Sequence, residues 1–358
     1  MMPGVLSRYF AKGFVFTVFS VFAGVFNLIF TVNFVETLRR SGDHPNVTPL
    51  ITAWLAFLQT PIVAEQALPF AVLLGSMIAF LNFSRRLELV VARAAGVSVW
   101  QFLAPAVAAA VAIGIVEIAV YNPLSTMMKR HGDALDTEYM GSGLVTGRGL
   151  WLRQKSIDGQ SVIGVEARSP DGRFLHVQVF NFDPNGAFSQ RIDAEEAVLR
   201  EGYWEMHKAT VVAPGFDAQE SEVVLVPTNL SVTEVSQAFV APETVSFWEL
   251  SPLAAQVEKA GLNALGYRLR FQQLIALPAL LAAMVLVASC FSLRLFRMGG
   301  IQRMVLGGVT SGFVLYVASK VVGDLGGVGI VSPWLAGWLP ATVGCLTGVF
   351  VLLHQEDG

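Results

Sequence analysis

The chain has 358 residues, 54% of them hydrophobic and 14% charged, and a mean hydropathy of +0.57; this composition excludes an ordinary soluble globular protein. A formal net charge of −3 leaves no basic field over the molecule and argues against nucleic acid as a partner. Charge is uneven, because residues 124–266 hold 11 Lys/Arg and 19 Asp/Glu while the remainder holds 13 and 8. A polar insert interrupts apolar blocks.

Six stretches approach the roughly 20 apolar residues that cross about 30 Å of hydrocarbon. They are 13–35, 62–83 and 102–122 before the insert, then 271–293, 304–322 and 334–353 after it. Thr60-Pro61, a cap followed by proline at the first helical position, predicts the start of the second span, and the capping-box pattern Ser98-x-x-Gln101 predicts the third. The first stretch is too long for the apolar region of a signal peptide and no small-x-small cleavage site follows it, so it reads as an uncleaved anchor. Arg8, Lys12, Arg85, Arg86, Arg93, Arg294, Arg297 and Arg303 fall on one side of the spans, against Arg39, Arg40 and Lys320 on the other. The positive-inside rule then predicts that both termini are cytoplasmic and that the insert lies outside the cytoplasm. The expected organisation is 1–123 with spans one to three, 124–266 as the insert and its connecting helix, and 267–358 with spans four to six.

Between spans two and three, Ser84–Trp100 places Leu87, Val90, Val91 and Ala94 at helical spacing, with Arg85, Arg86, Glu88 and Arg93 elsewhere and Gly96 as a stop. A short amphipathic helix over about 84–96 is predicted. It would either lie among lipid headgroups or dock in a groove of a cytoplasmic partner. Glu88 favours the partner, since a carboxylate gains nothing from an anionic membrane surface.

The insert reads as β structure. Asp158-Gly159, Asp171-Gly172, Asn185-Gly186 and Glu201-Gly202 punctuate the runs Ser161–Ala167, Phe174–Phe180, Ala194–Leu199 and Val223–Val226. In Phe174–Phe180, Leu175, Val177 and Val179 alternate with His176 and Gln178, the pattern of a strand with one face buried. A sandwich or jelly roll is the expected architecture. Ser251-Pro252 then predicts the start of a short helix that Gly261 ends.

Catalytic chemistry finds no support. The chain has no nucleotide-binding G-x-x-x-x-G-K-[ST] and no G-x-S-x-G, and His44, His131, His176, His207 and His354 lack metal-ligand spacing. Cys290 and Cys345 lie in apolar stretches and read as small packed hydrophobes. Arg39 and Arg40 after span one, with Lys129 and Arg130 after span three, place two basic pairs at the outer interface, as snorkelling anchors or as contacts for an acidic or phosphorylated lipid. Glu117 and Lys320, ionisable residues in or close to apolar spans, are a candidate intramembrane pair.

Several stretches are similar to one known family: RYF at Arg8–Phe10, FVETLR at Phe34–Arg39, ALPFAVLLG at Ala67–Gly75, ELVVARAAGVSVWQFLAP at Glu88–Pro105, YNPL at Tyr121–Leu124 and SPWLAGWLP at Ser332–Pro340. On these residues, and over nearly its whole length, the chain resembles the LptF/LptG (YjgP/YjgQ) permeases that export lipopolysaccharide. Its ETLR segment and its tail look more like the LptG type. The resemblance implies an α-helical membrane protein with six transmembrane helices, three plus three, and an inserted all-β, jelly-roll-like periplasmic domain, in the Gram-negative inner membrane.

It also implies an ABC exporter in which the chain pairs with an LptF-like permease, an LptB-like ATPase dimer and an LptC-like membrane-anchored protein. ATP and Mg would be used by the partner ATPase, and no cofactor or metal would be bound by this chain. The family's coupling helix falls on Arg85–Ala95, so that Glu88, with Arg85, Arg86, Leu87, Val91 and Arg93, would face the ATPase. Arg39, Arg40, Lys129 and Arg130 would contact lipopolysaccharide phosphates. Two other readings stay open on the residues alone: a self-standing lipid transporter or flippase, and a membrane-anchored scaffold with a binding domain.

Overall fold

Apolar length determines the helical layer. The computed structural model describes residues 4–42, 47–140, 150–156, 159–169, 172–183, 187–228, 240–259, 263–295 and 301–356. Six of its helical runs are long and apolar enough to cross a membrane: Leu6–Ser41, Pro49–Arg85, Val99–Tyr139, Leu265–Ser292, Val305–Gly327 and Pro333–Gln355. The helices are α1 (Gly4–Ser41), α2 (Pro49–Arg85), α3 (Glu88–Ala94), α4 (Val99–Val116), α5 (Asn122–Met140), α6 (Phe247–Lys259), α7 (Leu265–Leu295), α8 (Ile301–Gly327) and α9 (Pro333–Glu356). One π-turn, Glu117–Tyr121, joins α4 to α5. With 38 and 37 residues, α1 and α2 outrun the hydrocarbon layer, so their ends project from it.

The predicted cap at Ser98 is present, its Oγ accepting from the Gln101 N–H at 3.3 Å. Thr60-Pro61 does not open a helix. Thr48 does: its side chain accepts from the Ile51 N–H at 3.4 Å, with Pro49 at the first helical position. The apolar run Leu50–Leu58 allows the helix to begin earlier, and inside it Thr60 Oγ1 donates back to the Ala56 carbonyl at 2.7 Å and accepts from Asn33 Nδ2 of α1 at 3.3 Å.

In the bundle core the rings of Phe83 and Phe102 meet that of Phe10 edge-to-face, with centroids 5.0 and 4.7 Å away. A Cβ on Gly114 would stand 2.7 Å from the Pro278 Cα, so α4 and α7 approach more closely than a side chain there would permit. Helices α1 and α8 instead turn Phe16, Phe19, Leu306 and Val314 outward. Both cysteines are free, and Cys290 is buried, its thiol donating to the Leu286 carbonyl at 3.2 Å.

The insert contains β1 (Leu150–Ser156), β2 (Gly159–Arg168), β3 (Phe174–Phe182), β4 (Phe188–Arg200), β5 (Tyr203–Val212) and β6 (Gln219–Pro227). They form one antiparallel sheet in sequence order. This refines the jelly-roll-like expectation. A jelly roll needs strands that cross between two sheets, whereas tight turns such as Glu201-Gly202, with Gly202 at φ 86°, return each strand beside its predecessor. Asp158, Asp171 and Asn185-Gly186, from the other predicted turns, lie outside the described residues.

The simple alternation read for β3 does not hold: Phe174, Val177 and Val179 are buried, and Leu175 only partly. Pairing lapses at one level across the sheet, passing from Leu175 to Val177 on β3 and from His207 to Ala209 on β5. There His176 and Lys208 both adopt φ 49°. The skipped residues form an exposed polar row, with Glu166–His176 at 3.7 Å and Glu195–Lys208 at 2.6 Å. The crease changes which side chains face inward.

The inner face of the sheet, including Ile163, Val179, Ile192, Trp204 and Met206, shares one core with Leu250, Ala254 and Val257 of α6 and with Tyr267 and Leu274 of α7. The sheet is therefore fixed to the start of the fourth span. Helix α6 begins at Phe247, one turn before the predicted Ser251-Pro252 start, and Pro252 lies inside it. Its first N–H is satisfied from another helix, since the Phe247 N–H donates to Asn122 Oδ1 at 2.9 Å. Gly261, its predicted stop, lies outside the described residues.

Candidate functional site

At the end of the bundle remote from the insert, the predicted helix over 84–96 is divided. Helix α2 continues to Arg85, Leu87 turns into the left-handed region at φ 59°, and α3 spans only Glu88–Ala94 before Gly96 at φ 81°. The predicted apolar stripe does not seat on the bundle. Leu87 and Val91 are 56% and 66% exposed, and Ala94 is exposed too. Ala92 is the buried contact of α3, with Leu89 packed against the core beside it. The Val90 side chain lies outside the described ones. Arg85, Arg86 and Arg93 are exposed around this surface. Glu88 faces α1: the Tyr9 hydroxyl donates to its Oε1 at 3.0 Å, and its Oε2 has no donor. Two uncovered apolar side chains ringed by guanidinium groups make a surface suited to a protein partner.

At the insert end each of the four candidate basic residues has an acidic neighbour. Arg39 pairs with Glu36 one turn back at 2.8 Å, Arg40 reaches Asp136 of α5 at 3.8 Å, and Lys129 pairs with Asp133. Arg130 joins α5 to α6 through Glu249 at 2.6 Å and the Thr244 carbonyl at 3.1 Å. Arg40 and Asp136 thus bring the ends of α1 and α5 together.

Along the side of the bundle, Ile29 of α1, Val63, Gln66, Ala67 and Phe70 of α2, and Phe313 and Tyr316 of α8 line an apolar groove of about 450 Å³. Only the Gln66 amide and the Tyr316 hydroxyl add polarity. A groove of this character accepts hydrocarbon.

The predicted Glu117–Lys320 pair is not formed. Lys320 is exposed on α8, and the cation acting on Glu117 is Arg270. Sequence spacing could not choose between these cations, because the choice depends on which helix, α7 or α8, packs against the π-turn. Glu117 is buried beside a network that sequence reasoning missed. The Arg270 guanidinium bonds the buried Glu65 carboxylate. Asn122 Nδ2 donates to both Glu65 oxygens at 3.1 Å, and Ser125 Oγ donates to Oε2 at 3.1 Å. The Tyr121 hydroxyl donates to the Pro61 carbonyl at 2.9 Å. One signal could have found the network: Glu65 is an acidic residue within the apolar stretch 62–83, where ionisable groups point to a bundle interior. Among the described residues no group of three or more His, Cys, Asp and Glu could hold a metal.

The family model for the lipopolysaccharide export system permease LptF/LptG matches residues 8–354. The chain is 24% identical over 368 residues to the lipopolysaccharide export system permease protein LptG of Escherichia coli strain K12, covering 99% of this chain and 100% of that one. It is 22% identical over 348 residues to the protein of the same name from Haemophilus influenzae strain Rd, covering 90% and 91%. A match that takes in all six spans and the β insert means that the chain belongs to the LptF/LptG family of lipopolysaccharide export permeases.

Proposed function

We propose that this chain is a permease subunit of an ABC exporter that extracts lipopolysaccharide from the Gram-negative inner membrane and passes it to a periplasmic bridge toward the outer membrane. The observation that carries the reading is the apolar groove of about 450 Å³ between α1, α2 and α8. Arg39 and Arg40 stand about three turns beyond Ile29 along α1, so a lipid with its acyl chains in the groove would bring its phosphates toward them. Both termini are then cytoplasmic and residues 124–266 periplasmic, with 1–123 and 267–358 as the two membrane blocks.

Exposing acyl chains to water costs about 0.8 kcal/mol per CH₂, so extraction needs both a shielded path and an energy source. The sequence holds no nucleotide-binding motif. An LptB-like ATPase dimer using ATP and Mg is therefore the motor, an LptF-like permease completes the cavity, and an LptC-like protein continues the bridge. The exposed surface of Leu87, Val91, Arg85, Arg86 and Arg93, with Glu88, is the seat for the ATPase. Its contacts would differ between the open and closed states of the motor.

The test is gentle purification of the tagged full-length chain from its native membrane, with mass spectrometry of the chains that accompany it. Co-purification of an ATPase and a second permease is expected, together with loss of surface lipopolysaccharide when the chain is depleted. Recovery of the chain alone, with normal surface lipopolysaccharide, would overturn the reading in favour of a self-standing lipid transporter or a scaffold.

A further inference from the structure

Three formal charges meet where α2, the π-turn and α7 come together: the Glu65 and Glu117 carboxylates and the Arg270 guanidinium. Glu65 receives donors from Arg270, Asn122 and Ser125, while the buried Arg270 Nε–H has no acceptor. Glu117 receives no donor. It is 3% exposed, and neither of its carboxyl oxygens has a hydrogen-bond donor. The Tyr121 hydroxyl is engaged with Pro61, and Lys320 is exposed on another helix. Two carboxylates sharing one guanidinium leave an excess negative charge in a buried site, which is strongly unfavourable unless a proton balances it.

The geometry provides a place for that proton. Glu117 opens the π-turn whose Tyr121 bonds Pro61, one turn before Glu65 on α2, and which leads into Asn122, bonded to Glu65 itself, so the two buried carboxyl groups belong to one contact between α2 and the π-turn. Two ionised carboxylates offer only acceptors, so they make such a contact only when one of them carries a hydrogen. Glu65 already answers Arg270 as an anion, which leaves Glu117 to carry it. We propose that Glu117 is a proton-binding site, a neutral carboxylic acid whose O–H donates to Glu65 and fastens the transmembrane bundle to the β insert.

The step is a simple protonation: an O–H bond forms on Glu117 with a proton from bulk water, and no bond within the protein breaks. The link to the insert passes through Asn122, which holds Glu65 with its amide nitrogen and caps α6 with its oxygen. Loss of the proton would set two carboxylates against each other across the α2–π-turn contact and loosen Asn122. A π-turn stores an extra residue that a small rearrangement can take up, so the site lies where the helix can yield. The inference stands on these side chains and does not depend on the exporter reading.

The test uses the full-length protein in lipid nanodiscs, labelled with ¹³C-glutamate, and reads the infrared carbonyl stretch of a neutral carboxylic acid at neutral pH. The band is expected in the wild type and absent from Glu117→Gln. The variant should keep its thermal midpoint at neutral pH and should not share the wild type's loss of stability as pH rises. Absence of the band from the wild type, or its persistence in Glu117→Gln, would overturn the proposal. Should that variant fail to fold, Glu65→Gln leaves Arg270 with a single acid, and the band must then disappear; its persistence there would equally overturn the assignment.

Discussion

Asn122 donates to both carboxylate oxygens of Glu65 at 3.1 Å. Its own oxygen, by accepting from the Phe247 N–H at 2.9 Å, caps a helix on the far side of the insert. One amide therefore satisfies an intramembrane acid and a helix N-terminus distant in sequence. Together with Arg130 on Glu249 and Tyr267 on the Val240 carbonyl, it makes the seam between bundle and insert polar as well as apolar.

Asn122→Leu should destabilise that seam more than an average core substitution. It removes hydrogen bonds to a charged group, each worth about 1.5–3 kcal/mol, and leaves the Phe247 N–H without its partner. The expected result is a thermal midpoint several degrees lower in detergent and faster proteolysis between α6 and α7. An unchanged midpoint and cleavage rate would show that water replaces the amide without loss.

The membrane layer was legible because some 20 apolar residues in a row have few other fates. The β insert was legible from its turn dipeptides. Local rules failed where two sites satisfied the same rule. Thr48-Pro49 and Thr60-Pro61 both look like helix starts, and only the continuous apolar run between them decides. The crease in the sheet depends on His176 and Lys208 in the left-handed region, which no propensity of histidine or lysine announces. The Glu65–Arg270 pair spans a sequence separation of 205, so Glu65 could be noticed as an oddity in its span but its partner could not be named. The segment after α2 was found with its outward apolar residues, but not its break: one left-handed residue, Leu87, separates α2 from α3, leaving Leu87 and Val91 pointing outward.

Gly114→Ala should be costly although alanine is the better helix former. The added Cβ would stand 2.7 Å from the Pro278 Cα, so α4 and α7 must separate. Overpacking of this kind costs about 1–3 kcal/mol. Gly24→Ala on α1 is the matched control: nothing lies within 4 Å of its Cβ, and the change should be neutral or slightly stabilising. Thermal unfolding of the two variants side by side checks the contrast, and equal midpoints would mean that α4 shifts without resistance.

Glu88 has one oxygen on Tyr9 and one buried without a donor, so it ties α3 to α1 directly beside the exposed surface. Tyr9→Phe removes a single partly exposed hydrogen bond and should change stability by less than about 1 kcal/mol. If α3 transmits the motor's stroke to α1, lipopolysaccharide release by the reconstituted transporter should nevertheless fall several-fold. Glu88→Ala, which removes the carboxylate itself, should weaken ATPase assembly or uncouple its turnover from release. Wild-type release by both variants would reduce Glu88 to a local tether.

Arg39 and Arg40 differ from Arg130 in what they must give up to meet a phosphate. Arg130 holds α5 to α6 through Glu249 and Thr244, so replacing it also disturbs the seam. Among the described residues Arg39 is bound to the exposed Glu36 beside it, and Arg40 to Asp136 at 3.8 Å. An exposed bridge such as Arg39–Glu36 is worth about 0–1 kcal/mol, so a multiply charged headgroup can displace it at little cost. The double variant Arg39→Ala with Arg40→Ala should leave folding intact and reduce photo-crosslinking to lipopolysaccharide several-fold. Raised ionic strength should weaken crosslinking in the wild type in the same direction, through screening of the charges at the interface. Crosslinking that survives both changes would assign the two arginines to anchoring the end of α1 at the membrane surface, and would leave recognition of the lipid to the apolar groove.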